Sequence, residues 1–402
     1  MTAYKLVKVN AGSAGADQQT IADFDMNLEN NLYKIWNRMS SGNYFPPSIL
    51  AVQIPKKTGG ERVLGIPTVS DRIAQMVVKL NFEPLIEPYF HSDSYGYRAG
   101  KSALDAVGIA RQRCWKYDWV LEFDIKGLFD NIDHDLLMKA VTKHTDNKWV
   151  ILYIKRWLTA PMQMPSGECI VRSKGVPQGG VISPILSNLF LHYVFDMFMS
   201  RNFPQVKWCR YADDGLIHCA TEEEAQRLKN VLEKRFHECL LELHPEKTKI
   251  IYCKDGKRTK EYPNMHFTFL GYDFRRRMTV NKKNGNRFLA FTALVSKCAL
   301  KLMHARVRRY NIPRRTQCSL EDIAKNMNPI LRGWFNYYGH YTPSALNSFR
   351  WSIDKSLAKW AMRKYKKLKG HKTKSVYFIQ KIKESSPNLF AHWKQGKKIM
   401  VV

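Results

Sequence analysis

Apolar positions in the first quarter of the chain follow the helical period and then switch to alternation. Residues 1–45 are predicted helical, with a break at Asn10-Ala-Gly-Ser-Ala-Gly15. The periodic stretch Ile21 to Met39 stops at Ser40-Ser-Gly-Asn43. Ile49 to Pro67 reads as two strands around Thr58-Gly-Gly60, a hairpin carrying Lys56, Lys57 and Arg62. A helix is predicted from Asp71 to about Tyr89, capped by Ser70 or Asp71. After Ser94-Tyr-Gly-Tyr-Arg98 comes a helix over Ser102–Trp115, then a strand over Trp119–Ile125 and a helix over Leu136–His144. Met162 to Arg172 is β-rich around a Pro-Ser-Gly-Glu turn. Lys174-Gly-Val-Pro-Gln-Gly-Gly180 precedes an apolar helix, Ile185 to Met199, and Thr221–Leu243 is amphipathic with a solvated charged face. Ile250-Ile-Tyr252 and Phe267–Tyr272 read as short strands, and 274–287 as a basic, turn-rich linker. Leu294–Arg309, Leu320–Tyr338 and Ser344–Leu368 read as helices, and no repeat is evident.

Lys207 to Cys219 stands out from this pattern. Alternating residues lead into Tyr211-Ala-Asp-Asp214, Gly215 follows, and Leu216-Ile217 leads out, which predicts a tight hairpin with two carboxylates at its tip. Adjacent acids on a turn are by default solvated turn formers. A second acid in a similar setting changes that reading, because the apolar run Val120-Leu-Glu-Phe-Asp124 also ends on an aspartate. Asp124 and Asp213, side by side on neighbouring strands, could hold two magnesium ions about 4 Å apart for phosphoryl transfer. Phe129, five residues on, is close enough to pack beside a bound nucleotide and exclude a ribose 2′-hydroxyl; a core aromatic is the alternative. Gly179 and Gly180 let backbone approach a substrate, where the Gln178 amide could touch a base pair or nucleotide. The basic hairpin is either solvated or a pair of cationic fingers that fork onto phosphate.

Composition sharpens the choice. The chain has 402 residues, enough for two or three domains, and 45% hydrophobic residues fit a folded protein. No apolar run is long enough for a membrane span, and the N-terminus is too polar for a signal peptide. Eight scattered cysteines without a C-x-x-C pair read as reduced thiols. The net charge is +30, and its distribution matters more. Residues 255–402 carry 33 Lys+Arg against 7 Asp+Glu, and residues 1–254 carry 32 against 28. Such charge, interleaved with Trp and Tyr as in Leu331-Arg-Gly-Trp-Phe-Asn-Tyr-Tyr-Gly-His-Tyr341, is the footprint of a nucleic-acid partner. The rings there are expected to be mostly helix-packing core, with Arg and Lys as the nucleic-acid face. Lys364–Lys374 is a basic run expected to order on RNA.

Together these segments resemble the ordered blocks of a reverse transcriptase, specifically the group II intron maturase/reverse transcriptase family, over nearly the whole chain. Phe-Asp-Ile-x-x-x-Phe at 123–129 resembles the palm strand with the first metal aspartate and the sugar-gating aromatic. Gly175-Val-Pro-Gln-Gly-Gly180 resembles the block that contacts template and nucleotide, and Tyr-Ala-Asp-Asp at 211–214 the catalytic hairpin. The resemblance implies a right-hand α/β polymerase with an all-α basic thumb. Its expected domains are fingers at 1–110, palm at 111–273 with a fingers segment returning within about 140–185, and a linker at 274–287. A thumb/maturase domain at 288–370 and a basic tail at 371–402 complete them. Asp124, Asp213 and Asp214 would be catalytic and, with Ile125, would bind two Mg2+, with Mn2+ able to replace them. Asp214 would be the least certain ligand, because the second carboxylate in this fold often sits slightly off the metals. Lys56, Arg62, Ile125, Phe129, Gln178 and Lys249 (or Lys247) would meet the nucleotide. Gly179, Gly180, Leu270, Gly271, Arg332 and Trp334 would meet the template–primer. Implied partners are RNA template and primer, the RNA/DNA heteroduplex, group II intron RNA and deoxynucleoside triphosphates. The resemblance implies an N-terminal extension shorter than is usual for the family and a member without a Cys/His-rich endonuclease module after the thumb. A cytoplasmic, bacterial-type setting is expected, with an organellar one open. Two rivals remain at this point: an RNA-binding splicing cofactor with secondary or lost polymerase activity, and a reverse transcriptase in host defence.

Overall fold

Residues 1–55, 60–280 and 284–394 are described by the computed structural model. The chain divides into two units, one of 1–106 with 119–250, the other of 107–118 with the chain from Ile251 onward.

The first unit opens with α1 (Thr2–Val9), α2 (Ile21–Asp25) and α3 (Leu28–Ser40), interrupted where the sequence predicts a break. β1 (Ile49–Pro55) and β2 (Glu61–Ile66) form the expected hairpin, and Lys56 falls outside the described residues. α4 (Val69–Ile86) starts two residues earlier than predicted, because the Thr68 hydroxyl, rather than Ser70 or Asp71, accepts the Asp71 N–H at 3.1 Å. α5 (Ala103–Cys114), β3 (Trp119–Asp124), α6 (Leu128–Asn131) and α7 (His134–Thr142) follow. α8 (Lys148–Thr159) has no counterpart in the sequence reading, although Val150, Tyr153, Ile154, Trp157 and Leu158 follow helical spacing and are buried. β4 (Met162–Gln163) joins β1 in parallel and pairs with β5 (Cys169–Ile170), giving a sheet of order β2-β1-β4-β5.

α9 (Ser183–Leu191) runs through one π-helical turn, His192–Asp196, into α10 (Met197–Asn202). β6 (Lys207–Tyr211) and β7 (Asp214–Cys219) make the hairpin, α11 (Glu222–Glu238) covers it, and β8 (Lys249–Tyr252) completes a sheet of order β6-β7-β3-β8. Phe123, Phe195 and Phe236 pack at 5.0–6.4 Å between ring centres beneath this sheet.

In the second unit β9 (His266–Phe269), β10 (Tyr272–Val280) and β11 (Arg287–Val295) form an antiparallel sheet. The expected linker at 274–287 is therefore the end of a long hairpin, because Phe274 and Phe291 alternate inward while arginines face out. Residues 107–110, expected in the fingers, and 111–118 and 251–273, expected in the palm, belong to this unit. Trp115 Nε1 donates to the Phe291 carbonyl at 2.8 Å, and Arg258 to the carbonyls of Tyr117 and Cys114 at 2.7 and 3.0 Å. The helical region begins with α12 (Lys297–Tyr310), nine residues past the expected 288. It continues through α13 (Leu320–Tyr338), α14 (Asn347–Lys364), α15 (Lys372–Ser385) and α16 (Ala391–Lys394). The basic run 364–374 and the described part of the expected tail, 371–394, are built into this bundle. Ile379, Phe390 and Trp393 join its core with Leu331, Phe335 and Trp360, so apolar burial outweighs the local charge. Among the described residues no helix is long and apolar enough to cross a membrane.

Candidate active site

The period-2 pattern of β3 and β7 places one residue of each strand opposite the other, and the register pairs Asp124 with Asp214. Asp213 lies instead in the two-residue turn between Tyr211 and Asp214, which pair with each other. The sequence reading put Asp213 beside Asp124; the structure gives that position to Asp214, because the loop needs only two residues. Ala212, the first loop residue, has φ +55°, a left-handed conformation that costs an alanine roughly 1–2 kcal/mol. Surrounding structure holds it there. Gly96 comes so close that a Cβ would lie 2.5 Å from the Ala212 nitrogen, and the Phe123 ring lies over Gly215. Beneath the turn the fully buried Arg210 forks onto Asp196 at 2.8 and 2.7 Å and donates to the Ala212 carbonyl at 3.1 Å.

Three carboxyls on this end of the sheet carry perturbed charge. Asp214 keeps an open side to solvent, yet the protein packed around its carboxyl, then the charges of Asp213 and Asp124, push its pKa up to about 7. Asp213 is raised too, by burial first and by Asp124. Glu122, two residues before Asp124 and on the same face of β3, is raised to about 8 by burial and then by Asp214. The Lys247 ammonium is ion-paired with Asp124. It arrives there because the preceding segment is clamped to the strand end: the His244 N–H donates to the Asp124 carbonyl at 2.8 Å, and the Lys126 N–H to Glu242 at 2.9 Å. The expectation favoured Lys249 over Lys247; Lys249 instead sends its charge to Glu122. Glu122 and Arg210 escaped the sequence reading. An acid two residues before Asp124 on its face of an apolar strand, and an arginine within the apolar strand 207–211, were the available signal.

The expected nucleotide-side residues also gather in this unit. The charge of Arg62 acts on Asp213 and on Tyr97. Ile125 is buried and Phe129 is half-buried, its carbonyl accepting the Val176 N–H at 2.6 Å. That bond brings the Gly175–Gly180 loop to Phe129. The Gln178 side-chain amide nitrogen donates to both oxygens of Asp130 at 3.1 Å, and the Gln178 main-chain carbonyl accepts the Gly65 N–H at 2.8 Å. Gly179 has φ +124°, and a Cβ there would lie 2.5 Å from the Gly65 carbonyl oxygen. Gln75, held by buried Asp71 at 2.9 Å, accepts the N–H groups of Val181 and Ile182 behind Gly180, which fixes the loop against α4.

In the second unit Leu270 and Gly271 form the two-residue turn of β9 and β10, with φ of +50° and +80°. Tyr337 Oη donates to the Leu270 carbonyl at 2.8 Å. Arg332 is exposed on α13, whereas Trp334 is partly buried against Phe349 and is therefore a packing residue as well as a candidate contact.

Among the described residues no three His, Cys, Asp or Glu side chains converge tightly enough to hold a metal by themselves. The donor chemistry nevertheless suits a hard divalent cation that takes its remaining oxygens from water or substrate phosphate. Crowded carboxyls with raised pKa values gain from a nearby positive charge, and the Lys247 ammonium supplies one at Asp124.

Residues 54–274 match the family described as reverse transcriptase (RNA-dependent DNA polymerase), and residues 300–378 match the group II intron, maturase-specific domain. Protein YkfC of Escherichia coli (strain K12) is 31% identical over 65% of this chain and 76% of its own. The group II intron-encoded protein LtrA of Lactococcus lactis subsp. cremoris is 26% identical over 84% of this chain and 68% of its own. The putative COX1/OXI3 intron 1 protein of Saccharomyces cerevisiae is 25% identical over 84% of this chain and 48% of its own. The first match covers more than half of the sequence and contains all three aspartates, so this chain belongs to the reverse transcriptase family, as an RNA-directed DNA polymerase of the group II intron type with a maturase domain.

Proposed function

We propose that this chain copies RNA into DNA by adding deoxynucleoside triphosphates to a primer 3′-hydroxyl, and that its maturase region assists the splicing and mobility of a group II intron RNA. The observation that carries the reading is the opposition of Asp124 and Asp214 with Asp213 in the adjoining turn. Reverse transcriptases use divalent metal ions, and Asp124, Asp213 and Asp214, with Ile125 beside them, would hold them. Two Mg2+ ions, or Mn2+ in their place, would supply a lowered pKa at the attacking hydroxyl and charge neutralisation at the pyrophosphate. Lys56, Arg62 and Lys247 or Lys249 would orient the phosphates as cations. Phe129 would crowd a 2′-hydroxyl. Asp130 holds the Gln178 amide nitrogen, and the amide oxygen would serve as an acceptor for the base pair or nucleotide. Gly179 and Gly180, packed against Gly65 and Ser183, would hold the loop where it meets the template strand. Leu270, Gly271, Arg332 and Trp334 would meet the primer and heteroduplex, held mainly through the backbone and weakening steeply with salt.

Primer extension on an RNA template with magnesium, comparing wild type with Asp213→Ala, tests the polymerase. Template-dependent synthesis abolished by the substitution is expected; a folded, RNA-binding wild type that makes no DNA would sink the reading. The maturase match at 300–378 favours a second activity, RNA splicing. An Asp213→Ala/Asp214→Ala variant that splices but does not polymerise would separate the two.

A further inference from the structure

Among the described residues Arg210 is the largest charged side chain with no exposed surface. Burying a guanidinium is costly, and all of its hydrogen bonds go to the frame of one turn. Nε and Nη2 fork onto Asp196 at 2.8 and 2.7 Å, and Nη2 also meets Ser94 Oγ at 2.9 Å. Nη1 donates to Asn188 Oδ1 at 3.2 Å and to the Ala212 carbonyl at 3.1 Å. Asn188 in turn donates to the Gly96 carbonyl at 2.6 Å, and Gly96 is the residue pressed against the Ala212 nitrogen. The counter-charge comes from an irregular place: Asp196 ends the π-helical turn between α9 and α10. A π-turn inserts one residue and re-aims those that follow, a feature concentrated at functional sites. The guanidinium thus grips the left-handed residue immediately before Asp213 from below, while Gly96 closes it from the side.

From this geometry we infer that Arg210, neutralised by Asp196, is a positioning residue for polymerisation: through the Ala212 carbonyl it holds the strained turn that aims Asp213. It touches no substrate. The inference rests on the polymerase reading and adds to it a buried determinant that the carboxylates themselves do not reveal.

The test replaces the pair together, Arg210→Met with Asp196→Leu, because apolar substitutes of similar volume keep a core folded where a single lost partner would not. Arg210→Lys is the second variant. Three quantities are measured: the thermal midpoint, kcat and KM for deoxynucleotide in primer extension, and Mn2+ binding followed by paramagnetic resonance. A folded double variant should lose about 100-fold in kcat, with KM changed by about 2-fold or less, the scale of an ångström-level misplacement. Its Mn2+ affinity should fall about 10-fold. A folded variant with kcat and Mn2+ binding near wild type overturns the inference. If the double variant does not fold, Arg210→Lys decides by the same readouts, and loss of the fold in both assigns Arg210 to folding alone and overturns it. A folded wild type without activity would instead remove the polymerase reading, which keeps the two failures apart.

Discussion

Asp124 on β3 and Asp214 on β7 are cross-strand partners, so their side chains leave the same face of the sheet at its end. Asp213, in the turn, adds a third carboxyl, and the Lys247 ammonium meets the first. Charge of one sign is thus concentrated where the backbone is least free to relax.

Replacing a carboxylate should remove catalysis without removing the fold. Asp124→Asn or Asp213→Asn should lower the rate of primer extension by at least about 10³-fold, on the order of 4 kcal/mol of transition-state stabilisation. RNA affinity should stay within a few-fold. Steady-state extension and a filter-binding titration measure the two, and an active Asp213→Asn enzyme would contradict the assigned role.

The raised carboxyls make metal binding and stability depend on pH. Unfolded, Asp214 titrates near 3.8; folded, at about 7, with Glu122 following at about 8. Between these values the folded chain keeps protons that the unfolded chain has released. The metal-free protein should therefore lose stability as pH rises from about 4 towards 8 and level off above. A divalent ion must displace the Asp214 proton, so Mn2+ affinity should climb by up to about tenfold per pH unit below 7 and flatten beyond it. Thermal melts in EDTA and Mn2+ titrations across about pH 5 to 9 test both trends. Flat profiles would show that these groups are not raised.

Lys247 sits on Asp124 but is more than half exposed, so the ion pair is worth on the order of 0–1 kcal/mol. Lys247→Met should remove a competitor for the metal and tighten Mn2+ binding by up to about 5-fold, while raising KM for deoxynucleotide. Tighter metal binding with an unchanged KM would confine Lys247 to the resting site.

Gly215 is required by its neighbour. A Cβ there would lie 2.1 Å from the Phe123 ring, itself wedged between Phe195 and Phe236. Gly215→Ala should destabilise the protein by about 1–3 kcal/mol, read as a lower urea midpoint at unchanged slope.

Phe129 governs the sugar if it lines the nucleotide. Phe129→Ala should increase ribonucleotide incorporation relative to deoxynucleotide by at least about 10-fold, measured as a ratio of kcat/KM values. No change in that ratio would make Phe129 a core residue, consistent with its half-buried state.

Much of this architecture was legible before any coordinates, because local patterns carry it. The alternation around 119–124 and 207–219, the tight hairpin near 211–214 and the helix over 320–338 all lie where the chain's own periodicity puts them. What escaped reading depended on partners far along the chain. The stretch 274–287 reads as a linker because the outward arginines of the strand at 272–280 mask an inward row that only pairing with 287–295 reveals. The region from 371 reads as a basic tail outside the thumb because its lysines dominate composition, while Ile379, Phe390 and Trp393 find their core only in the folded bundle.

The sequence by itself determined that one aspartate would end the strand at 119–124 and two more would sit at the tip of the hairpin at 207–219, since strand parity and a tight turn are local properties of a handful of residues. Only the tertiary structure decided which of them face each other, that Glu122 keeps its proton, that Lys247 rather than Lys249 reaches Asp124, and that Arg210 grips the turn from below. Register, burial and charge are sums over neighbours 14 to 123 positions away in the chain, and those neighbours exist only once it has folded.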